Sequence, residues 1–262
     1  MCKQQSDKQL YSCYHGRELE LIQIPFYRSD SQLMNDAIDR LVVKVHNHKQ
    51  ERNQKTVLLT GCGSANGTTT VSINLAIALS IAGWNTLLVD LDFRKGNAFK
   101  QTGRKKKMGL SEYISNAVDI TEILFPTNHE NLFFAPSGDL FASAIRLLCS
   151  ERMATFIAEV KQRFDFIIFD CPSVTVVPDA SVMFPVVDGI ALVSAQNRTT
   201  RKQLGDAKLE IENMKGKYYG LIVNCVDERQ YERFYPQNSY FDTKRLVKTH
   251  RKWLSKDDKR RN

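Results

Sequence analysis

Residues 59–76 read LTGCGSANGTTTVSINLA, an apolar run that breaks into Gly, Ser, Ala and Asn and then opens a helical pattern on consecutive threonines. Small residues at such a turn let the backbone wrap a bulky anion, and the N–H groups at the start of a helix attract negative charge. The chemistry this suits is the holding of a phosphate. A Gly-rich strand-to-helix turn also serves purely conformational ends, so the weight falls on a second set of residues. Asp90 and Asp92 end the run TLLVDLD, and Asp170 ends DFIIFD. Ligands of parallel sheets sit beyond the carboxyl ends of the strands, where carboxylates converging on the loop can hold magnesium and its waters. One Asp at a strand end is commonly a cap or turn residue; the three together point to a site.

The elements that must position these residues follow from periodicity. Continuous apolar runs, as expected for strands covered on both faces, begin at Thr56 (TVLLT), Thr86 (TLLVDLD), Leu132 (LFFAP), Asp165 (DFIIFD), Gly189 (GIALVSA) and Gly220 (GLIVN). Between the first two, Val71, Leu75, Ala78, Leu79 and Ala82 recur at helical spacing and Gly83 follows as a helix stop. Further helical patterns cover Ala142 to Phe164, Pro178 to Val186 and Thr200 to Met214. The alternation predicts an α/β fold, a doubly wound, mostly parallel sheet with helices on both faces. The expected division is an N-terminal arm over residues 1–53 with a helix from Ser31 to His48, an α/β domain over 54–227, and a basic tail over 228–262.

Composition narrows the function classes. At 262 residues and 42% hydrophobic, the chain can bury a core, which excludes disorder throughout. Most of its net charge of +8 lies from Lys244 onward, where nine basic residues face two acidic ones. The body is therefore nearly neutral, and no nucleic-acid groove is favoured. The tail reads either as a solubilising end or as a contact for anionic surfaces. The cysteines at 2, 13, 62, 149, 171 and 225 form no C-x-x-C pair, which argues against disulfide scaffolds and zinc sites. With no signal-peptide pattern and no run of about 18 apolar residues, the expected location is cytoplasmic.

From Thr56 to Asp227 the chain resembles the bacterial tyrosine kinases of capsule and exopolysaccharide synthesis, which are deviant P-loop ATPases. The loop carries the resemblance together with NLAIALSIAGWNTLLVDLDFRKG, GLSEYI, ENLFFAPSG, SERM, FDFIIFDCPS, VVDGIALVSAQNRTTR and GLIVNCVD. Septum-site and partition ATPases share the first and last of these motifs, but the DxDxR form of Asp90, Asp92 and Arg94 is that of the kinases. The resemblance implies ATP and Mg2+ as cofactors. It makes Ser64, Ala65, Asn66, Gly67, Thr68, Thr69 and Thr70 the phosphate loop, and Thr69 and Asp170 the magnesium-holding pair. Asp90 and Asp92 become the catalytic acidic motif, with Asp92 receiving the tyrosine proton, and Asn224 becomes an adenine contact; as a strand-end residue, Asn224 also fits a turn. Tyr231, Tyr235 and Tyr240 become candidates for autophosphorylation in trans, although aromatic packing is the other use of such residues.

The chain departs from the family where Lys is expected in the loop and Thr68 stands instead. Phosphoryl transfer depends on positioning and charge stabilisation, so either another cation serves, such as Arg94, Lys95 or a neighbouring subunit's residue, or nucleotide is bound with little catalysis. The family's assembly motif of one Glu and two Arg is only echoed in DAIDRLVV, residues 36–43, which argues against ring assembly and leaves a homo-oligomer open. The leading expectation is an ATP-binding tyrosine autokinase acting beside a separate membrane-embedded activator at the inner face of the membrane. A catalytically weak nucleotide switch and a partition-like ATPase binding DNA or membrane through the tail are the alternatives.

Overall fold

The computed structural model of the chain describes residues 21–24, 32–94, 108–139 and 143–227. The chain divides into two compact units, Met1–Asn224 and Cys225–Asn262, and the described helices and strands all belong to the first. Strands β1 (Thr56–Gly61), β2 (Thr86–Asp90), β3 (Phe125–Pro126), β4 (Leu132–Ala135), β5 (Phe166–Asp170), β6 (Gly189–Ala195) and β7 (Tyr218–Asn224) form one sheet in the order β3-β4-β2-β5-β1-β6-β7. Neighbours run parallel except β3 and β4. Every residue of β1, β2, β4, β5 and β6 is buried, which is why these strands read as unbroken apolar runs.

Alternate residues feed two cores. Leu58, Leu87, Val89, Ile167, Phe169, Ile190 and Leu192 face one side, where they meet Leu110 and Tyr113 of helix α3 (Leu110–Ile114), Met153, Phe156 and Val160 of α5 (Glu151–Arg163) and Ile211 of α7 (Arg201–Asn213). Val57, Leu59, Leu88, Ile168 and Val193 face the other, against Leu75, Ile77 and Leu79 of α2 (Thr68–Ile81) and Val45 of α1 (Gln32–Arg52). A one-residue slip in any strand would exchange the two sets. The first crossover, β1–α2–β2, thus sets the start of α2 at the carboxyl edge of β1.

Three expected helices are corrected, and one strand is added. The pattern from Ala142 to Phe164 is two helices, α4 (Ala144–Leu148) and α5, because Ser150 adopts an extended conformation and its Oγ accepts the Met153 N–H at 3.2 Å, capping a new helix. The expected helix from Pro178 to Val186 shrinks to α6 (Asp179–Met183), with Pro178 at its cap position. The edge strand β3 carried no periodic signal; its Pro126 is tolerated on an edge, where one N–H fewer leaves no ladder gap. Helix α1 also runs past His48. Its Lys49 Nζ lies 2.7 Å from Asp165 Oδ1 and 4.3 Å from the centre of the Trp84 ring, so the last turn is held to the domain. Ser31 lies outside the described residues.

At the amino edge of the sheet a single carboxylate ties three elements. Asp188 accepts the Lys55 and Thr56 N–H groups at 2.9 and 3.0 Å, the Thr56 hydroxyl at 2.8 Å, and Lys161 Nζ of α5 at 2.9 Å. Burial works against its charge, but these donors outweigh that and hold Asp188 below the usual carboxylate range. Asp188→Ala is expected to lower stability by about 3 kcal/mol, since it strands buried donors and Lys161. A depressed carboxylate contributes above its unfolded value of about 3.9 and ceases to as pH falls through the folded value. Urea denaturation of wild type and variant should therefore show a gap that is full at pH 7 and closes below pH ~4.

Candidate functional site

The segment between β1 and α2 is held from several sides. Cys62 N–H donates to Val193 O at 2.9 Å, and Gly61 O accepts both Ser173 Oγ at 2.8 Å and Val174 N–H at 3.2 Å. Thr175 Oγ1 donates to Cys62 O at 3.0 Å, and Thr60 Oγ1 to Pro172 O at 2.6 Å. The stretch after β5 therefore clasps the base of the loop. Higher up, the buried Asn66 amide donates to Val193 O, and Asn224 Nδ2 donates to Asn66 O, each at 3.0 Å. The loop curls by placing Ala65 (φ 56°) and Gly67 (φ 77°) in the left-handed region. Only glycine fits at 67, because a Cβ there would stand 2.3 Å from Asn224 Nδ2. Helix α2 then begins with no side-chain cap and no acidic residue in its own first turn, so no side chain of the helix satisfies the N–H groups at its positive end.

Beside it lie the carboxylates. Asp90 and Asp170 are register partners in β2 and β5. Asp170 accepts the Ser72 hydroxyl at 3.0 Å and a hydrogen bond from Thr69. Asp90 accepts the Asp92 N–H at 2.9 Å and the Ser137 hydroxyl at 3.2 Å, and Asp92 accepts the Arg94 N–H at 3.2 Å. Burial, then the neighbouring charge of Asp90, push Asp170 up to about 7 against the pull of the Thr69 and Ser72 hydroxyls. Among the described residues no three His, Cys, Asp or Glu side chains form a metal-holding set. A magnesium ion would suit this edge only with a phosphate's oxygens and waters completing its shell, the usual habit of that cation.

A cleft of about 320 Å³ opens between loop and carboxylates, lined by Gly63 to Thr69 together with Asp92, Arg94 and Asp170. Of the sequence-derived candidates, Ser64, Ala65, Asn66, Gly67, Thr68, Thr69, Asp92 and Asp170 line it, whereas Thr70, Asp90 and Asn224 do not. Tyr231, Tyr235, Tyr240 and Lys95 lie outside the described residues. Arg94, considered as a stand-in cation, makes a two-pronged pair with the fully buried Asp179, Nε to Oδ2 at 2.7 Å and Nη2 to Oδ1 at 2.8 Å. Its charge is already matched. Residues missed by the sequence reading are Ser173 and Thr175, which brace the loop; Asp179, which holds Arg94; and Arg198, whose Nη1 reaches Ala65 O at 3.5 Å. All act across more than eighty residues of chain, where no local pattern signals a contact.

A parallel sheet whose first strand runs through a curled Gly loop into a helix, with acidic strand ends opposite, is the P-loop nucleoside-triphosphatase fold. Comparison with known proteins narrows the class. The AAA domain family matches residues 60–185. Tyrosine-protein kinase CpsD of Streptococcus agalactiae is 34% identical over 180 residues, spanning 68% of this chain and 78% of that protein. The BceF tyrosine kinase domain superposes with a TM-score of 0.71 at 22% identity, over 85% of this chain and 88% of that one. The kinase domain of the Escherichia coli tyrosine kinase ETK does so with a TM-score of 0.69 at 22% identity, over 85% and 95%. The chain belongs to the bacterial tyrosine kinase family. These matches favour the kinase reading over the partition-like one. No described helix is long and apolar enough to cross a membrane.

The crowding of Asp170 has a measurable consequence in ligand-free protein. A carboxylate whose folded value is raised binds a proton that the unfolded chain has released, so it costs stability progressively as pH rises from about 4 to about 7. Asp170→Asn is therefore expected to stabilise the metal-free, nucleotide-free protein, on the order of 4 kcal/mol at pH 8 and progressively less toward pH 4. Thermal melts of both proteins across that range check it.

Proposed function

We propose that this chain binds ATP with magnesium in the cleft at the start of α2 and acts as a tyrosine autokinase-like component of capsular or exopolysaccharide synthesis. The observation that carries the proposal is the curled loop closing on the uncapped helix start, with Thr69 and Asp170 hydrogen-bonded at its rim. In this assignment the backbone of Ser64 to Thr70 cradles the phosphates. Thr69 and Asp170 would hold magnesium, which supplies charge neutralisation between the phosphates. Asp90 holds the Asp92 turn through the Asp92 N–H. Asp92, in the cleft, accepts the proton of the incoming tyrosine hydroxyl as that oxygen bonds the terminal phosphorus and the bridging oxygen leaves with ADP. Asn224, tied to the loop at Asn66, is assigned the adenine edge. A membrane-embedded activator, present as a separate protein, brings the chain to the membrane, and self-association supplies tyrosines in trans.

A second reading, a nucleotide switch with weak turnover, is favoured by Thr68 and by the engagement of Arg94 with Asp179. Backbone donors act on bound nucleotide and transition state alike, whereas a cation at the transferring phosphoryl acts chiefly on the latter. Calorimetry tests binding: ATP with magnesium should bind the folded protein, and no heat at millimolar nucleotide would remove the assignment. Turnover at saturating ATP separates the readings: where no other side chain supplies the charge, Thr68→Lys should raise it by at least tenfold, given about 3 kcal/mol for one well-placed charge-stabilising group. An unchanged rate in the folded variant would show that another residue already supplies the charge.

The autophosphorylation assignment has its own check. Phosphotyrosine formed with labelled ATP is expected on Tyr231, Tyr235 or Tyr240, next to the basic segment from Lys244, where each phosphate adds about −1.5 to −2 charge. Mass spectrometry that finds phosphate only on Tyr113, Tyr218 or Tyr219 would exclude the tail as substrate.

A further inference from the structure

A nucleoside triphosphate carries more negative charge than one divalent cation cancels, and the carboxyl edge of this sheet adds Asp90, Asp92 and Asp170. The cleft-lining arginine, Arg94, is matched by Asp179 at 2.7 and 2.8 Å. Thr68 offers a hydroxyl where the family carries an ammonium. If the nucleotide binds as proposed above, a cation must come from elsewhere.

The loop after β6 presents one. Its backbone is fixed: Asn197 turns with a φ of 61°, Arg198 N–H donates to Ala195 O at 3.2 Å, Ala195 N–H donates to Thr199 Oγ1 at 2.9 Å, and Thr200 caps α7. The Arg198 side chain, in contrast, is exposed and held by a long contact of 3.5 Å from Nη1 to the carbonyl oxygen of Ala65. Ala65 is one of the two left-handed residues of the phosphate loop and lines the cleft. A guanidinium has five donors in a planar fork. Exchanging one long bond to a neutral carbonyl for charge-assisted bonds to phosphate oxygens, which are roughly twice as strong, favours the exchange whenever phosphate is present.

We propose that Arg198 is the cation of this nucleotide site, moving from the Ala65 carbonyl onto the phosphate chain and supplying in cis the charge that Thr68 lacks. The inference rests on the nucleotide reading of the cleft. It assigns Arg198 to the polyphosphate and not to the base, so its effect grows with the number of phosphates. It also requires that Arg198 and a lysine at position 68 be redundant, because both would serve the same charge.

The test uses the full chain with magnesium and compares ATP, ADP and AMP by calorimetry, or by displacement of a fluorescent ADP for weak ligands. Arg198→Ala, at an exposed position, should keep the melting midpoint of wild type. It is expected to weaken ATP by at least tenfold, ADP by less, and AMP not at all. Arg198→Lys should recover most of the ATP affinity, and raising salt should narrow the gap between wild type and Arg198→Ala. In the Thr68→Lys background, Arg198→Ala should cost less than threefold. Equal ATP affinity of wild type and Arg198→Ala would overturn the inference while leaving the nucleotide site standing. An equal loss for ATP, ADP and AMP would overturn it too, reducing Arg198 to a prop for the loop, as would an undiminished loss in the Thr68→Lys background. Failure of wild type to bind any of the three would overturn the nucleotide reading and this inference together.

Discussion

Strands β2 and β5 run parallel and in register, so their last residues, Asp90 and Asp170, stand side by side, about 4.8 Å apart at the backbone. Two carboxylates at that spacing in a buried edge oppose each other's ionisation, and the surroundings are arranged around this conflict. Asp90 receives the N–H of its own turn at Asp92 and the hydroxyl of Ser137, which closes the chain over β2. Asp170 receives hydroxyls of Ser72 and Thr69 from the first turns of α2. The helix start is thereby tied to the acidic edge, and the loop that precedes it is forced to curl in the space left. Cys171, next along the chain, is kept as a neutral thiol by burial first and by Asp170 and the other carboxylates second, which makes it unreactive despite lining the cleft.

The two ends of the sheet handle charge in opposite ways. At the amino edge, Asp188 meets Lys161 and three donors of the Lys55–Thr56 segment, while Asp165 meets Lys49. These charges are compensated and contribute to holding α1, α5 and β1 together. At the carboxyl edge like charges neighbour one another, and the helix above them presents an uncapped positive end. A fold tolerates such an edge only when the amino edge and the two cores supply enough stability to offset it. Burial does the larger part, since five strands are covered on both faces.

Strand content was legible because burial on both faces forces apolar residues at every position, a pattern that survives without tertiary information. The helix pattern from Val71 to Ala82 was legible for a similar reason, since its apolar face meets the sheet. The break at Ser150 was not, because Ser in a helical run signals a cap only when its neighbours already turn, and Ala144 to Leu148 continues the apolar period across it. Edge strand β3 spans two residues, too short for any period. In the site, the loop and the aspartates were readable from residue type and from the order strand, loop, helix. The clasp of Ser173 and Thr175 on Gly61 and Cys62, and the pairing of Arg94 with Asp179, depend on which segments the topology brings together, and no spacing in the chain announces them.

Thr68 separates two properties that this fold usually combines. The N–H groups of the loop and of the helix start stabilise a phosphate whether or not it is being transferred, and they belong to the backbone, so a change of side chain at 68 leaves them in place. The threonine hydroxyl sits toward the loop base, 3.1 Å from where a Cβ on Gly61 would lie. A cation at 68 would instead act where charge builds during transfer. On the assignment proposed above, holding a nucleotide draws on β1, α2 and the clasp after β5, while gripping and reacting its outer phosphates draw on whichever positive side chain can reach them. Arg94 is committed by geometry to Asp179, so within the described residues that role falls to a side chain anchored outside the loop and joined to it by a contact weak enough to exchange.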